Sequence, residues 1–224
     1  MSNTDSKSPR LRRAASLLIQ TPTYDFETEH GAPATLVCGI DEAGRGPLAG
    51  PVVAAAAIID INNCPQGLND SKKLTHKARE RLYEELTQTA EIGIGIASVE
   101  EIDEINILQA TMLAMTRAFE ALPRAAHFAL IDGNRLPAIS CPARAIVKGD
   151  ARVLSIAAAS IAAKVTRDRM MCEMALAHPG YGFEKHMGYG TALHMNALKQ
   201  LGVTPHHRRS FAPIRNILSP PSSK

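Results

Sequence analysis

Five short apolar runs of strand type, at residues 36–41, 51–60, 91–98, 126–132 and 143–148, are interleaved with helical patterns at about 75–90, 100–121, 152–175 and 190–202. Strands separated by helix-length segments are the signature of an α/β fold. Within the third run, Ile92, Ile94 and Ile96 alternate with Gly93, Gly95 and Ala97, so one face of that strand is expected to be packed closely by a helix. The expected partner is the alanine-rich stretch at 155–165, where Ala157, Ala158, Ala159, Ala162 and Ala163 would let a helix approach a sheet closely.

The chain has 224 residues, 45% of them apolar, which suits one core in a single domain. That domain is expected over 34–218, between a flexible N-terminal extension at 1–33 and a loose tail at 219–224. No run of about 18 uncharged apolar residues occurs, so no membrane span is expected. Cys38, Cys64, Cys141 and Cys172 form no CxxC pair, which argues against a zinc site or a disulfide framework and for a reducing cytoplasm. Cys38 is expected to pack in the core. His206 and His207 are neighbours that point apart with no Cys or carboxylate at ligand spacing, so they are not read as metal ligands. The net charge of +3 is unevenly spread, because the stretch from Cys141 to Lys224 carries 12 Lys/Arg against 4 Asp/Glu. A basic C-terminal third is the footprint of a polyanion partner, here read as nucleic acid.

The first strand run leads directly into Asp41-Glu42-Ala43-Gly44-Arg45-Gly46-Pro47. Adjacent carboxylates repel, and a fold accommodates them at a strand tip only with solvent, hydrogen bonds or a cation, a divalent metal being the natural compensator. The glycines let backbone groups come close to a ligand, and Arg45 offers a phosphate-binding fork. Asp132, in Ile131-Asp132-Gly133-Asn134, and Asp150, in Lys148-Gly149-Asp150, also follow strand runs. Taken singly, Asp132 reads as a turn residue and Asp150 as the N-cap of the next helix. Together the four acids suit two hard cations with oxygen ligands, such as Mg²⁺. A P-loop is excluded, because Arg45-Gly46 stand where Lys and Ser/Thr are required.

These segments, with Asn69-Asp70-Ser71-Lys72-Lys73 and His186-Met187-Gly188-Tyr189, resemble the ribonuclease HII family across about residues 36–218. The resemblance implies a ribonuclease H-like fold: a central mixed β-sheet flanked by helices, with a small C-terminal helical portion. It implies an endoribonuclease that cleaves the RNA strand of RNA/DNA hybrids and cuts 5′ of single ribonucleotides in duplex DNA, leaving 3′-hydroxyl and 5′-phosphate ends. Asp41, Glu42, Asp132 and Asp150 would be the catalytic acids holding two Mg²⁺ or Mn²⁺ ions, with Asp41 bridging. Gly44, Arg45, Gly46 and Tyr189 would read the ribo-to-deoxyribo junction, with Ser71 and Lys72 as phosphate contacts. Met187 departs from the family, which commonly has lysine there, so a local phosphate contact is in question. No clear clamp-binding peptide is present, and a monomer is expected. The alternative function is a noncatalytic hybrid-binding module. Four clustered carboxylates, which repel phosphate unless metals neutralise them, argue against it.

Overall fold

The computed structural model describes residues 21–219. Its elements, in chain order, are α1 (Asp25–Glu29), β1 (Val37–Ala43), β2 (Val52–Ile59), α2 (His76–Thr89), β3 (Ala90–Ala97), α3 (Val99–Glu120), β4 (Phe128–Asp132), β5 (Ala143–Ile146), α4 (Leu154–Ala177), α5 (Phe183–His186), α6 (Ala192–Leu201) and α7 (Ala212–Leu218). Every strand and helix expected from the sequence is present, with ends within two residues of the expected ones. The strands form one mixed sheet in the order β3-β2-β1-β4-β5. The β1–β2 and β2–β3 pairs are antiparallel, and the β1–β4 and β4–β5 pairs parallel.

Strand β2 shows how the sequence builds three layers. All eight of its residues are buried, which requires cover on both faces. Side chains alternate across a strand, and here Ala54, Ala56 and Ile58 join a core with Ala110, Ala114 and Ala118 of α3. Ala55, Ala57 and Ile59 join a second core with Ala157–Ala163 of α4 and Leu82 and Leu86 of α2. Cys38 is fully buried in the first core, as expected, and burial pushes its thiol well above the usual range.

The expected partner of the β3 glycines is corrected. They face α3, not the alanine-rich α4: a Cβ on Gly95 would lie 2.1 Å from the Ala114 carbonyl oxygen, and one on Gly93 would lie 2.2 Å from that of Ala118. Both helices are rich in alanine, so the small-residue pattern does not choose between them. Helix α3 also differs from the single helix expected. Asn106 (φ 68°, ψ 162°) interrupts it, and its Oδ1 accepts the Leu108 and Gln109 N–H groups at 3.0 and 3.2 Å, recapping the helix from inside.

The expected extension at 1–33 needs a boundary correction. Residues 1–20 lie outside the described residues, as do 220–224 of the expected tail. Residues 21–33 pack against the domain instead. Thr23 pairs with Val153, and the fully buried Glu27 accepts the Ser155 N–H at 2.7 Å. Helix α4 has no cap of its own, since Val153 occupies its N-cap without a side-chain bond. A carboxylate from α1 thus satisfies a first-turn amide that would otherwise be orphaned.

Candidate active site

Parallel pairing brings the acids together. The β1–β4 register aligns Ile40 with Ile131, so the next residues, Asp41 and Asp132, come out side by side at the C-terminal ends of two neighbouring strands. Glu42 follows on β1, and Asp132 pairs with Ile146 on β5. Beyond β5 a 3-10 turn at Gly149–Ala151 carries Asp150. That turn is tied back to β4 because Gly149 N–H donates to Asp132 Oδ1 at 2.6 Å. Asp150 is not the N-cap of α4; Val153 holds that position. Carboxyl ends of parallel strands are where α/β sheets gather ligand-binding groups.

The cluster is electrostatically strained. Asp41 is 4% exposed, and its carboxyl is pushed well above the usual range by burial, then by Glu42 and Asp132, with the Ser160 hydroxyl pulling the other way. Burial also raises Glu42, against the pull of Arg45. Asp150 is raised by burial, then by Asp70 and Asp132, with Lys72 opposing. Two cations moderate this repulsion: Arg45 Nη1 lies 3.2 Å from Glu42 Oε1, and Lys72 Nζ lies 4.0 Å from Asp150 Oδ2. Among the described residues, no three His, Cys, Asp or Glu side chains stand close enough to share one ion as they are placed. Asp41 Oδ1 accepts the Glu42 N–H at 2.7 Å and Asp132 Oδ1 the Gly149 N–H at 2.6 Å. The donor set nevertheless fits divalent ions: it is all oxygen, partly dehydrated and short of positive charge, so hard cations would relieve the repulsion that raises the carboxyls.

Beside the acids, the Gly44-Arg45-Gly46 turn is held from beneath by two arginines assigned from the sequence only to the general basic character. Arg208 is fully buried; its Nε donates to Gly50 O at 2.9 Å, its Nη1 to Arg45 O at 3.0 Å, and its Nη2 to the Gly44 and Pro51 oxygens. Arg167, 1% exposed, donates to Pro51 O, Met187 O and Ala49 O at 2.9–3.0 Å. Among the described residues neither pairs with a carboxylate; oriented carbonyl dipoles carry the compensation. Burial lowers both guanidiniums, Arg167 to about 10 and Arg208 to about 9, so both stay charged at neutral pH. Gly44 adopts φ +97°, and a Cβ there would lie 2.0 Å from Arg167 Nε, so the turn sits on that arginine only because the residue is glycine. One signal for Arg167 was readable: Ala163, Arg167 and Met171 recur at spacing four on the buried stripe of α4.

Tyr189 stands where the sequence reading expected it, over the turn. Its ring edge would be 3.4 Å from a Cβ on Gly46, and its side chain is 47% exposed at the mouth of a cavity of about 430 Å³. The Gly44–Gly46 turn, Glu42, Lys72, Lys164 and Arg167 line the same cavity. Glu42 and Arg45 also border a second one, of about 270 Å³, with Asp132, Asn134 and Arg135. Glu42 therefore sits between two concave surfaces, with Asp132 on the second. Ser71 lines the first cavity too, though it is only 4% exposed and its hydroxyl bonds Ser160 Oγ at 3.0 Å, while Lys72 and Lys73 of the same segment are exposed.

No helix among the described residues is long and apolar enough to cross a membrane. The ribonuclease HII family matches residues 38–214. A ribonuclease HII of Parvibaculum lavamentivorans is 68% identical over 200 residues, covering 89% of this chain and 74% of that protein. One of Paramagnetospirillum magneticum is 61% identical over 201 residues, covering 88% and 98%. The crystal structure of ribonuclease H2 from Pyrococcus horikoshii OT3 superposes with a TM-score of 0.67 at 30% identity, over 81% of this chain and 96% of that one. The matched segment runs from β1 to α7 and contains the four acids, the glycine turn and Tyr189, and on these grounds the chain belongs to the ribonuclease HII family and is a ribonuclease H, a nuclease that hydrolyses the RNA strand of RNA/DNA hybrids.

Proposed function

We propose that this ribonuclease also cuts 5′ of single ribonucleotides embedded in duplex DNA, and that Asp41, Glu42, Asp132 and Asp150 hold two divalent ions, Mg²⁺ or Mn²⁺, for both reactions. The observation that carries the reading is the gathering of four acids at one end of the sheet, beside a cavity where the Tyr189 ring faces the glycine turn. When bound, such ions activate the attacking water and stabilise the leaving oxygen, giving 3′-hydroxyl and 5′-phosphate ends. Asp41, deepest of the four, would be central to holding both ions. The backbone of the Gly44–Gly46 turn faces the same cavity as Tyr189, where its N–H and C=O groups meet the 2′-hydroxyl, at once donor and acceptor. The Tyr189 ring lies against the next sugar, where shape disfavours a second 2′-hydroxyl without barring it. Arg45 and Lys72, exposed and already beside the acids, grip the phosphates flanking the cut.

Cleavage mapping on a DNA duplex carrying one ribonucleotide, with Mg²⁺ and with EDTA, tests the reading. The expected product is a single cut 5′ of the ribonucleotide, lost with EDTA and in Asp41→Asn and Asp132→Asn, while duplex binding by the variants persists. Near-wild-type turnover in either folded variant overturns the acid assignment. Binding of that duplex with no cut by the wild-type chain would overturn the single-ribonucleotide reading and confine the activity to continuous RNA strands.

A further inference from the structure

We infer that His194, a residue buried beneath the site, positions Tyr189 through the tyrosine's main-chain carbonyl and thereby sets the preference for an embedded ribonucleotide; this rests on the junction role proposed for Tyr189. The ring of Tyr189 is exposed, yet the backbone that aims it is gripped from below at three successive residues. Arg167 Nη1 donates to Met187 O at 2.9 Å, Gly188 N–H donates to His186 Nδ1 at 3.2 Å, and His194 Nδ1 lies 3.0 Å from Tyr189 O. The His186 and His194 rings stack at 4.4 Å and 13°, so the two grips form one unit. The segment they hold is not a conformation the chain adopts unaided, since Met187 has φ 50° and Gly188 φ 83°.

Backbone groups decide every proton in this array. A carbonyl only accepts, so His194 Nδ1 carries a proton and donates it to Tyr189 O. At the far end, Thr204 N–H donates to His207 Nδ1 at 3.0 Å, so that nitrogen is bare and His207 is protonated at Nε2. The two rings meet Nε2 to Nε2 at 3.0 Å, and His207 therefore donates to His194 there. The proton order runs from Thr204 N–H through His207 and His194 to Tyr189 O, with both imidazoles neutral. His194 and His207 are fully buried, and no competing water-facing arrangement is open to them. Tyr189 O has one other donor, Thr191 N–H at 2.8 Å, in a tight two-residue turn. Without His194 the carbonyl keeps that contact alone and loses the bond that fixes its direction relative to the Gly46 wall.

Amide substitutions separate this role from mere packing. Asn places an NH₂ donor near the former Nδ1, whereas Gln places its amide near the former Nε2. His194→Asn is expected to lose thermal stability, because His207 Nε2–H is left unpaired, yet keep the wild-type ratio of kcat/KM for a single embedded ribonucleotide over a continuous RNA strand. His194→Gln is expected to lower that ratio about fivefold, the weight of one neutral hydrogen bond. In a Tyr189→Ala background, where the ratio is already depressed, His194→Gln should change it no further. An unaltered ratio in folded His194→Gln, with Tyr189→Ala depressing it, overturns the positioning role; an unaltered ratio in Tyr189→Ala overturns the reading of Tyr189 and this inference with it. Should the Gln variant fail to fold, ¹⁵N imidazole shifts of the wild-type protein decide: His194 protonated at Nδ1 and bare at Nε2 at neutral pH is required, and the opposite tautomer refutes the proposal.

Discussion

Replacing Arg208 with lysine keeps the charge and removes the fork, and the structure sets the size of the loss. The guanidinium serves the carbonyls of Gly44, Arg45, Gly50 and Pro51. Pro51 O keeps a second donor in Arg167 Nε at 3.0 Å, so three carbonyls depend on Arg208. An ammonium is a point donor on a flexible stem and re-satisfies about one of them, leaving about two buried oxygens unpaired. At about 1–3 kcal/mol each, Arg208→Lys should cost about 4 kcal/mol. For a domain of this size that is a fall in Tm of roughly 10 °C. Urea denaturation is the assay: the midpoint should shift with an unchanged slope, which assigns the effect to the folded state rather than to compactness. The exposed neighbour Arg209, changed to Ala, is the control and should stay within about 0.5 kcal/mol of wild type. Because two of the three carbonyls belong to the Gly44–Gly46 turn, cleavage of embedded ribonucleotides should weaken even at temperatures where the variant is fully folded. A loss below about 1 kcal/mol would refute the claim that this arginine, rather than the turn's own geometry, holds the site in shape.

Lys72→Ala should weaken binding to duplexes with and without a ribonucleotide about equally and lower the log–log salt slope by roughly one, since a phosphate contact carries no sequence information; an unchanged slope measured by fluorescence anisotropy removes Lys72 from the contacts. His207, pushed down to about 4 by burial and then by His194, is neutral in the fold, whereas its ordinary value is 6.5. The unfolded chain therefore takes up a proton first, and stability that is complete above about pH 6.5 should fall by about 3 kcal/mol as pH drops towards 4; the same acid slope in His207→Gln would count against this assignment. Deleting residues 1–33 removes Glu27 and the Thr23 bridge from the start of α4, and thermal unfolding should drop by several degrees. Glu27→Ala should reproduce about 1–2 kcal/mol of that loss, and a deletion as stable as the full chain would restore the domain boundary to residue 34.

The fold class was legible because each strand run is nearly all apolar while the helices between them carry their own period, two patterns that local sequence does express. The acids were legible for a related reason. Asp41, Glu42 and Asp132 lie at the ends of apolar runs that read as strand, whereas Asp150 stands on a 3-10 turn beyond β5 and is grouped with them through the family resemblance. Less visible was which small-residue helix covers which strand. Gly93 and Gly95 announce a close neighbour, but Ala114 and Ala118 of α3 and the alanines of α4 are equally qualified by composition, and only the chain's path selects between them.

The residues that hold the site in shape could not be singled out in the sequence. Arg208 lies in the run His206-His207-Arg208-Arg209, which counts only towards the basic C-terminal third, and Glu27 in a polar segment that reads as loose. Charge suggests water, and burial of a charge is decided by partners far along the chain: Gly44 lies 164 residues from Arg208, and Ser155 lies 128 from Glu27. Ser71, expected as a phosphate contact, lines the cavity beside Lys72, and only the fold shows that its hydroxyl also meets Ser160. By itself the sequence determined the strands, their acidic ends and the glycine turn, all consequences of contacts between near neighbours and of side-chain volume. The tertiary structure alone decided that parallel pairing sets Asp41 beside Asp132, that two buried arginines support the turn, and that a chain of neutral imidazoles ends on the carbonyl of Tyr189. Those arrangements depend on which distant donor meets which distant acceptor, and no local pattern encodes that meeting.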